Sequence, residues 1–256
     1  MGRASVVGMR FLTVFGLVWL VACAQPIARS TSPDTAAAAP RARPKALREG
    51  ALLGVPGESI VYRVALRGFT LGSVVVAVGQ VGEVDGHRAV IVRSRGTGSG
   101  AFALFSELSW ELKTVLALDL GKALSEEETV DFELVVGEKT HEQNTRDLTD
   151  VWTYNLHSAA GALRAWRSAI GDSGSLEVRI SDAFITVDLT DTARERIGDL
   201  PAVRYDGMAL DKYKLSIWIS DDEARVPLRM TSQTKWGELV VDMTSYDVAR
   251  TLAFSL

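Results

Sequence analysis

One cysteine in 256 residues rules out a disulfide within the chain. Any folded domain must therefore be held by apolar burial and backbone pairing, even in a compartment that permits disulfides. Histidine is nearly as scarce. His87, His141 and His157 stand far apart with no cysteine partner, so no zinc spacing is present. No phosphate-cradling glycine loop and no dinucleotide fingerprint occur. Positive charge is not in excess either: 28 Lys and Arg face 32 Asp and Glu, with the signs interspersed. That balance excludes an electrostatic nucleic-acid surface. After Val21 no long apolar run recurs, so no further membrane span is expected.

What is present is most specific at the N-terminus. Arg3 and Arg10, with no acid among them, precede an apolar run from Phe11 to Val21. The run is too short for a stable spanning helix and suits the core of a secretory signal. It ends in Leu20-Val21-Ala22-Cys23, which resembles the bacterial lipobox. That resemblance implies a diacylglyceryl group on Cys23, cleavage before it, and acylation of the new amine. Two or three acyl chains anchor stably where one is marginal. An ordinary signal peptide with a chance cysteine, or an uncleaved anchor helix, are the competing readings. Ala24 rather than Asp after the cysteine resembles the sorting pattern for the outer membrane of a two-membrane host. Residues 1–22 are thus read as a lipoprotein signal peptide. Without them 26 basic residues face 32 acidic ones, a net charge of −6.

Residues 23–50 read as a lipid-anchored flexible tether. Pro26, Pro33, Pro40 and Pro44 lie in it, among Ala, Ser and Thr. So few large apolar residues cannot offset the entropy of ordering the segment. Its root-mean-square reach is on the order of 30 Å.

Residues 51–256 read as a single β-rich domain. Ile60, Tyr62, Val64 and Leu66 alternate with Ser59, Val61, Arg63 and Ala65, the period of a half-buried strand. Arg67-Gly68 and Asp85-Gly86 mark turns, and Gly72 marks a bulge in a strand over 69–80. Further strands are expected at about 89–95, 109–117, 122–128, 129–137, 139–146, 175–181, 183–190, 202–209, 212–220, 225–236 and 238–246. Two short helices are expected. One covers Gly98 to Leu108, where Phe102, Phe105 and Leu108 form a stripe. The other covers His157 to Ile170, with Leu163, Trp166 and Ile170 on one face and Gly171 as its stop. So many antiparallel strands must curl to protect their edges. The expected fold is mainly β: a large curved antiparallel sheet, half-barrel or barrel-like, with its concave face plugged by the second helix.

Candidate chemistry is thin. Gly171-Asp172-Ser173-Gly174-Ser175 resembles the nucleophile string of trypsin-like proteases. That chemistry needs a histidine base and a buried aspartate on Ser173, and no histidine here has that family's context. A turn leading into a strand explains the string more simply. Glu126-Glu127-Glu128 and Asp221-Asp222-Glu223 lack the spacing of a Ca²⁺ loop. No catalytic residue, metal or cofactor is assigned. Two aromatics remain as candidate ligand-binding residues. Trp166 lies on the helix stripe. Trp218 sits on the polar side of a strand whose other side carries Tyr213, Leu215, Ile217 and Ile219.

Three blocks resemble the bacterial exported family called domain of unknown function 3108. They are Gly57-Glu58-Ser-Ile-Val-Tyr62 with Gly72, then Ser158 to Ser168 with Gly174, then Ile217-Trp-Ile-Ser-Asp221-Asp222 through Arg225, Pro227 and Arg229 to Trp236-Gly237. Leu118 to Asp150 matches none of its features. The resemblance implies an exported, mostly β protein and no assigned activity. The functional expectation is a membrane-anchored periplasmic module that binds lipid or another envelope component without catalysis. A structural or interaction lipoprotein is the alternative, and a hydrolase of envelope substrates stands behind both. A large apolar cavity favours the first, a filled core the second.

Overall fold

The computed structural model describes residues 45–46, 54–100, 103, 106–134, 139–149, 154–180, 183–210 and 212–249. The signal segment and Cys23 lie outside them. Fourteen strands and one helix occur among the described residues. The strands are β1 (Lys45–Ala46), β2 (Glu58–Leu66), β3 (Phe69–Val78), β4 (Gly82–Val84), β5 (His87–Gly98), β6 (Ser106–Ala117), β7 (Lys122–Leu134) and β8 (Lys139–Asp147). Helix α1 (Leu156–Ala165) follows, then β9 (Ser173–Ile180), β10 (Ala183–Ile197), β11 (Leu200–Ala209), β12 (Tyr213–Ser220), β13 (Pro227–Thr234) and β14 (Gly237–Val248).

All the strands belong to one sheet. Its order is β1-β9-β10-β11-β12-β13-β14-β2-β3-β5-β6-β7-β8, with β4 added beside β5. Every pairing is antiparallel except β1 on β9. Most links are tight hairpins, so strands adjacent in sequence are adjacent in the sheet. Arg67-Gly68 and Asp85-Gly86 carry positive φ at both central positions, the mirror-image turn that matches strand twist. The register slips by one residue beside Gly72, where Val64 faces Gly72 but Ala65 faces Thr70. That slip is the expected bulge.

The sheet curls without closing. Helix α1 packs against β9, at one end of the strand order, and against β6 and β7, near the other. One helix can touch both only if the sheet wraps round it. The chain itself crosses the seam: after β8 it reaches Tyr154, which pairs with Val178 on β9. The β8 edge is Lys-Thr-His-Glu-Gln-Asn-Thr-Arg-Asp, a charged border of the kind that discourages edge-to-edge aggregation. The opposite edge, β9, is covered by Tyr154 and by Lys45–Ala46. Those two residues fall inside the expected tether, so this part of it is docked on the sheet.

Alternation fills the interior. Ile60, Tyr62 and Val64, then Leu176, Val178 and Ile180, then Leu215, Ile217 and Ile219 all point inward and are buried. The main core joins these to Ala159 and Leu163 of α1. A smaller cluster of Val78, Val90, Val92, Leu116, Ala123 and Leu148 lies under the other flank.

Three expectations need correction. The helix expected over Gly98 to Leu108 is not there as such: Ser106 onward is strand β6, and Phe102 and Phe105 lie outside the described residues. Leu108, Trp110 and Leu112 alternate inward, so period 2 overrides the apolar spacing of the stripe. The strands expected at 122–128 and 129–137 are one continuous strand, β7. The second helix ends at Ala165, not Ile170. Trp166 has left the helix at φ −69°, ψ 110°, and Ile170 is exposed.

Candidate functional site

Helix α1 lies in the curl and is fixed at both ends by buried polar groups. Asn155 caps its N-terminus. Its Oδ1 accepts from the Ser158 backbone N–H at 2.9 Å, while Ser158 Oγ accepts from the Asn155 N–H at 2.9 Å, a reciprocal capping box. The Asn155 amide also donates outward from the helix, to Thr114 Oγ1 at 2.9 Å and Glu126 Oε2 at 2.8 Å. Glu126 in turn accepts from Arg146 at 3.0 Å. Burial raises the Glu126 pKa, partly offset by the Asn155 hydrogen bond and the Arg146 charge. Two residues on, His157 sits between Ser94 Oγ at 2.7 Å and Thr114 Oγ1 at 2.8 Å. Full burial lowers its pKa to about 3, so it is a neutral imidazole bridging two hydroxyls.

The C-terminal end is held by two arginines. Arg164 forms a two-pronged pair with Glu58, the first residue of β2, with Nη2 at 2.9 Å from Oε2 and Nη1 on Oε1. The same Nη2 donates to the Ala224 carbonyl at 2.8 Å. Both side chains are buried. Arg225 comes from the β12–β13 loop and donates to carbonyls at the C-terminal end of the helix, Arg164 O at 3.3 Å and the capping Trp166 O at 2.9 Å. A cation there satisfies orphan carbonyls and complements the helix dipole. This explains why the helix stops early. Arg225 also donates to Tyr205 Oη at 2.6 Å, and Trp166 stacks on the Tyr205 ring with centroids 5.0 Å apart.

The two candidate tryptophans fall on opposite faces. Trp166 is inside, half-buried on Tyr205. Trp218 alternates with the inward Ile217 and Ile219, so it is on the outer face. The Arg204 guanidinium lies 5.2 Å over its ring, and its Nε1 donates to Glu195. Trp218 does not line the concave face.

Nor does the protease-like string assemble. Ser173 Oγ contacts Thr190 Oγ1 at 2.8 Å. The histidines are engaged elsewhere: His87 with Asp119 at 3.1 Å, His141 with Asp131 at 2.7 Å, and His157 as above. Gly171, at φ 97°, and Asp172 make the turn into β9. Among the described residues no three His, Cys, Asp or Glu side chains converge as metal ligands.

Among the described residues, three cavities border α1, each of about 50 Å³. One is lined by Tyr62, Ser94, Trp110, His157 and Arg164. A second lies toward Val90 and Val92, and a third between Leu163 and the β10–β12 side chains Leu189, Leu215 and Ile217. Pockets for small-molecule ligands are several times larger, roughly 300–1,000 Å³.

Sequence reasoning overlooked Asn155, Glu58, Thr114 and Glu126. A signal was available for each. Asn155 and Ser158 have N-cap spacing. Glu58 is in phase with Ile60, Tyr62 and Val64, and Glu126 with Val130 and Phe132. A charged residue in phase with an inward row implies a buried partner.

No family model matches this chain, and no curated protein matches it. Among solved structures, it is similar to a β-barrel-like protein of domain of unknown function 1849 from Brucella abortus. The two are 12% identical, with 79% of this chain and 100% of the other aligned, at a TM-score of 0.50. A hypothetical protein from Chlamydia trachomatis aligns over 78% of this chain and 91% of its own, at 10% identity and a TM-score of 0.39. The fold is thus that of bacterial β-barrel-like domains of unknown function.

Proposed function

We propose that this chain is an exported, lipid-anchored, non-catalytic module of the cell envelope, related to the domain of unknown function 3108 family, that engages another envelope component through its outer surface. Its signal run and Cys23 support the anchor, and Ala24 supports an outer-membrane position facing the periplasm. The observation that carries the choice between outer surface and interior is α1. Among the described residues, helix and side chains occupy the concave face, and the cavities that border α1 are of about 50 Å³, too small for an acyl chain. A lipid carrier of this architecture would have to expel α1, breaking the Arg164–Glu58 pair and both capping networks. The hydrolase reading has no support from a nucleophile–base pair, since each histidine is engaged away from Ser173.

Native mass spectrometry of the protein extracted from its own membrane tests this. The expected mass is that of the acylated polypeptide alone. A further lipid retained one-to-one, and released only on unfolding, would contradict the outer-surface reading.

A further inference from the structure

The two ends of the curled sheet differ in chemistry. At one end lie the turns after β2, β9, β11 and β13. Register sets three of them within about two residues of one level, with the β9–β10 hairpin reaching further out, from Val187 opposite Ala209 to Ala183 opposite Ile180. Leu66 faces Leu239, Ser232 faces Leu215, Ala209 faces Tyr213, and Ala209 also faces Val187. In the strand order these four hairpins are consecutive at that end, two strands apart, so about 10 Å separates neighbours and the row spans about 30 Å.

Each hairpin exposes one large apolar residue: Phe184 at 53%, Leu210 at 38%, Trp236 at 43% and Phe69 at 70%. Each also carries a basic residue beside it. The Arg179 guanidinium is 5.9 Å from the Phe184 ring, and Lys235 Nζ is 4.3 Å from the Trp236 ring. Lys212 lies 5.2 Å from the ring of Tyr213, in the same turn as Leu210. Arg67 directly precedes Gly68-Phe69 and packs against Gly237 of the neighbouring tip. Leu210 holds φ 54°, a left-handed conformation that an apolar residue adopts only at a cost.

The opposite end also exposes apolar residues, Val81, Ile170, Leu200 and Val248, so apolar exposure alone does not distinguish the two ends. Its turns, however, hold Asp119, Asp172, Asp199, Asp221, Asp222 and Glu223 against Arg167 and Arg225, whereas the four-hairpin row sets Asp182, Asp211 and Glu238 against Arg67, Arg179, Lys212, Lys214 and Lys235, so basic residues are in excess only in the row. Alternating ring and cation is the composition that settles at a bilayer interface. Basic residues add attraction to anionic headgroups.

We propose that this row of four hairpin tips docks on an anionic lipid bilayer, with Phe69, Trp236, Leu210 and Phe184 dipping into the headgroup region. It deepens the outer-surface reading by naming what that surface meets. It fails separately from that reading, because lipid retained in the interior and lipid touched by the tips give different signals.

The test uses the full chain extracted from membranes and reconstituted into vesicles of phosphatidylcholine, with or without an equal part of phosphatidylglycerol. With Cys23 acylated, a Phe69→Cys variant takes an environment-sensitive fluorophore at one site, and a Leu200→Cys variant reports the other end. The parent, labelled in parallel, serves as the blank. The expected result is a blue shift and quenching by spin-labelled lipid at position 69 only, in phosphatidylglycerol vesicles, reversed by high salt. Lys212→Gln and Lys235→Gln, both at exposed positions, should each weaken it roughly fivefold. No response at position 69 overturns the proposal. So does an equal response at position 200, or one that ignores phosphatidylglycerol. A response at position 69 that appears only when envelope protein is added overturns it in favour of a protein partner.

Discussion

Glu58 and Arg164 show what single residues do in this fold. Two opposite charges are buried together, one opening β2 and one closing α1. Such a pair adds little over an apolar replacement, but removing one member leaves the other charged and stranded. Arg164→Ala should therefore cost about 3–5 kcal/mol, read as a lowered midpoint in denaturant. Gly207 is constrained differently. A Cβ there would sit 1.8 Å from the Asp188 carbonyl oxygen, so the β10–β11 pair has to part. Gly207→Ala should cost about 3 kcal/mol, the upper range for overpacking. Trp166 is half-buried and stacked on one face only. Trp166→Ala should cost about 2–3 kcal/mol, less than the loss of a fully enclosed aromatic. His157 gives a pH dependence of definite sign. Folded, it takes up a proton only near pH 3; unfolded, near 6.5. Between those values the unfolded chain binds a proton that the folded one does not, so stability falls as pH falls, by about 1.4 kcal/mol per pH unit. Glu126 acts in the opposite sense, because its folded pKa is raised. Denaturant midpoints at pH 7 and pH 4.5 should show the net loss in the parent. The difference should shrink in His157→Asn.

At the scale of elements, α1 is the piece on which the interior depends, and its N-cap is the weak point. Asn155→Ala removes the capping box and leaves Glu126 without its amide donor. The combined cost should be about 2–4 kcal/mol, with Asn155→Asp a poor rescue because it sets a second carboxylate against Glu126. The strands around α1 could be read from alternation, and the Arg67-Gly68, Asp85-Gly86 and Gly237 turns from residue type. The helix limits could not. Sequence without Gly or Pro continues past Ala165 to Ile170, but Arg225, distant in sequence, bonds the carbonyls at the helix end, and Trp166 stacks on Tyr205 off the axis. The stripe of Phe102, Phe105 and Leu108 misled for a related reason. Leu108 belongs equally to an alternating row with Trp110 and Leu112, and pairing with β5 and β7 decides between the two. The polar site was hidden because Glu58, Thr114 and Glu126 look like ordinary surface residues until their phase within an inward row is noticed. Trp218 shows the converse. Its polar-side phase was plain, but only sheet curvature reveals that the polar side is convex.

For the whole molecule, the consequence is a curled sheet carrying its own core helix, for which a lipid anchor at Cys23 is proposed. Cys23→Ala should abolish acylation and membrane retention, and fractionation with membranes like the parent would contradict the anchor. The closed interior rests on α1 staying in place. A lid opens far below the cost of global unfolding, whereas a core element opens only with it. Hydrogen exchange of the backbone amides of α1, followed by mass spectrometry, measures this directly. If α1 is a permanent part of the core, Ala159 to Ala165 should exchange as slowly as the amides of β10, β11 and β12. Exchange orders of magnitude faster in α1 than in those strands would contradict the closed interior and make the concave face a cavity with a moving cover.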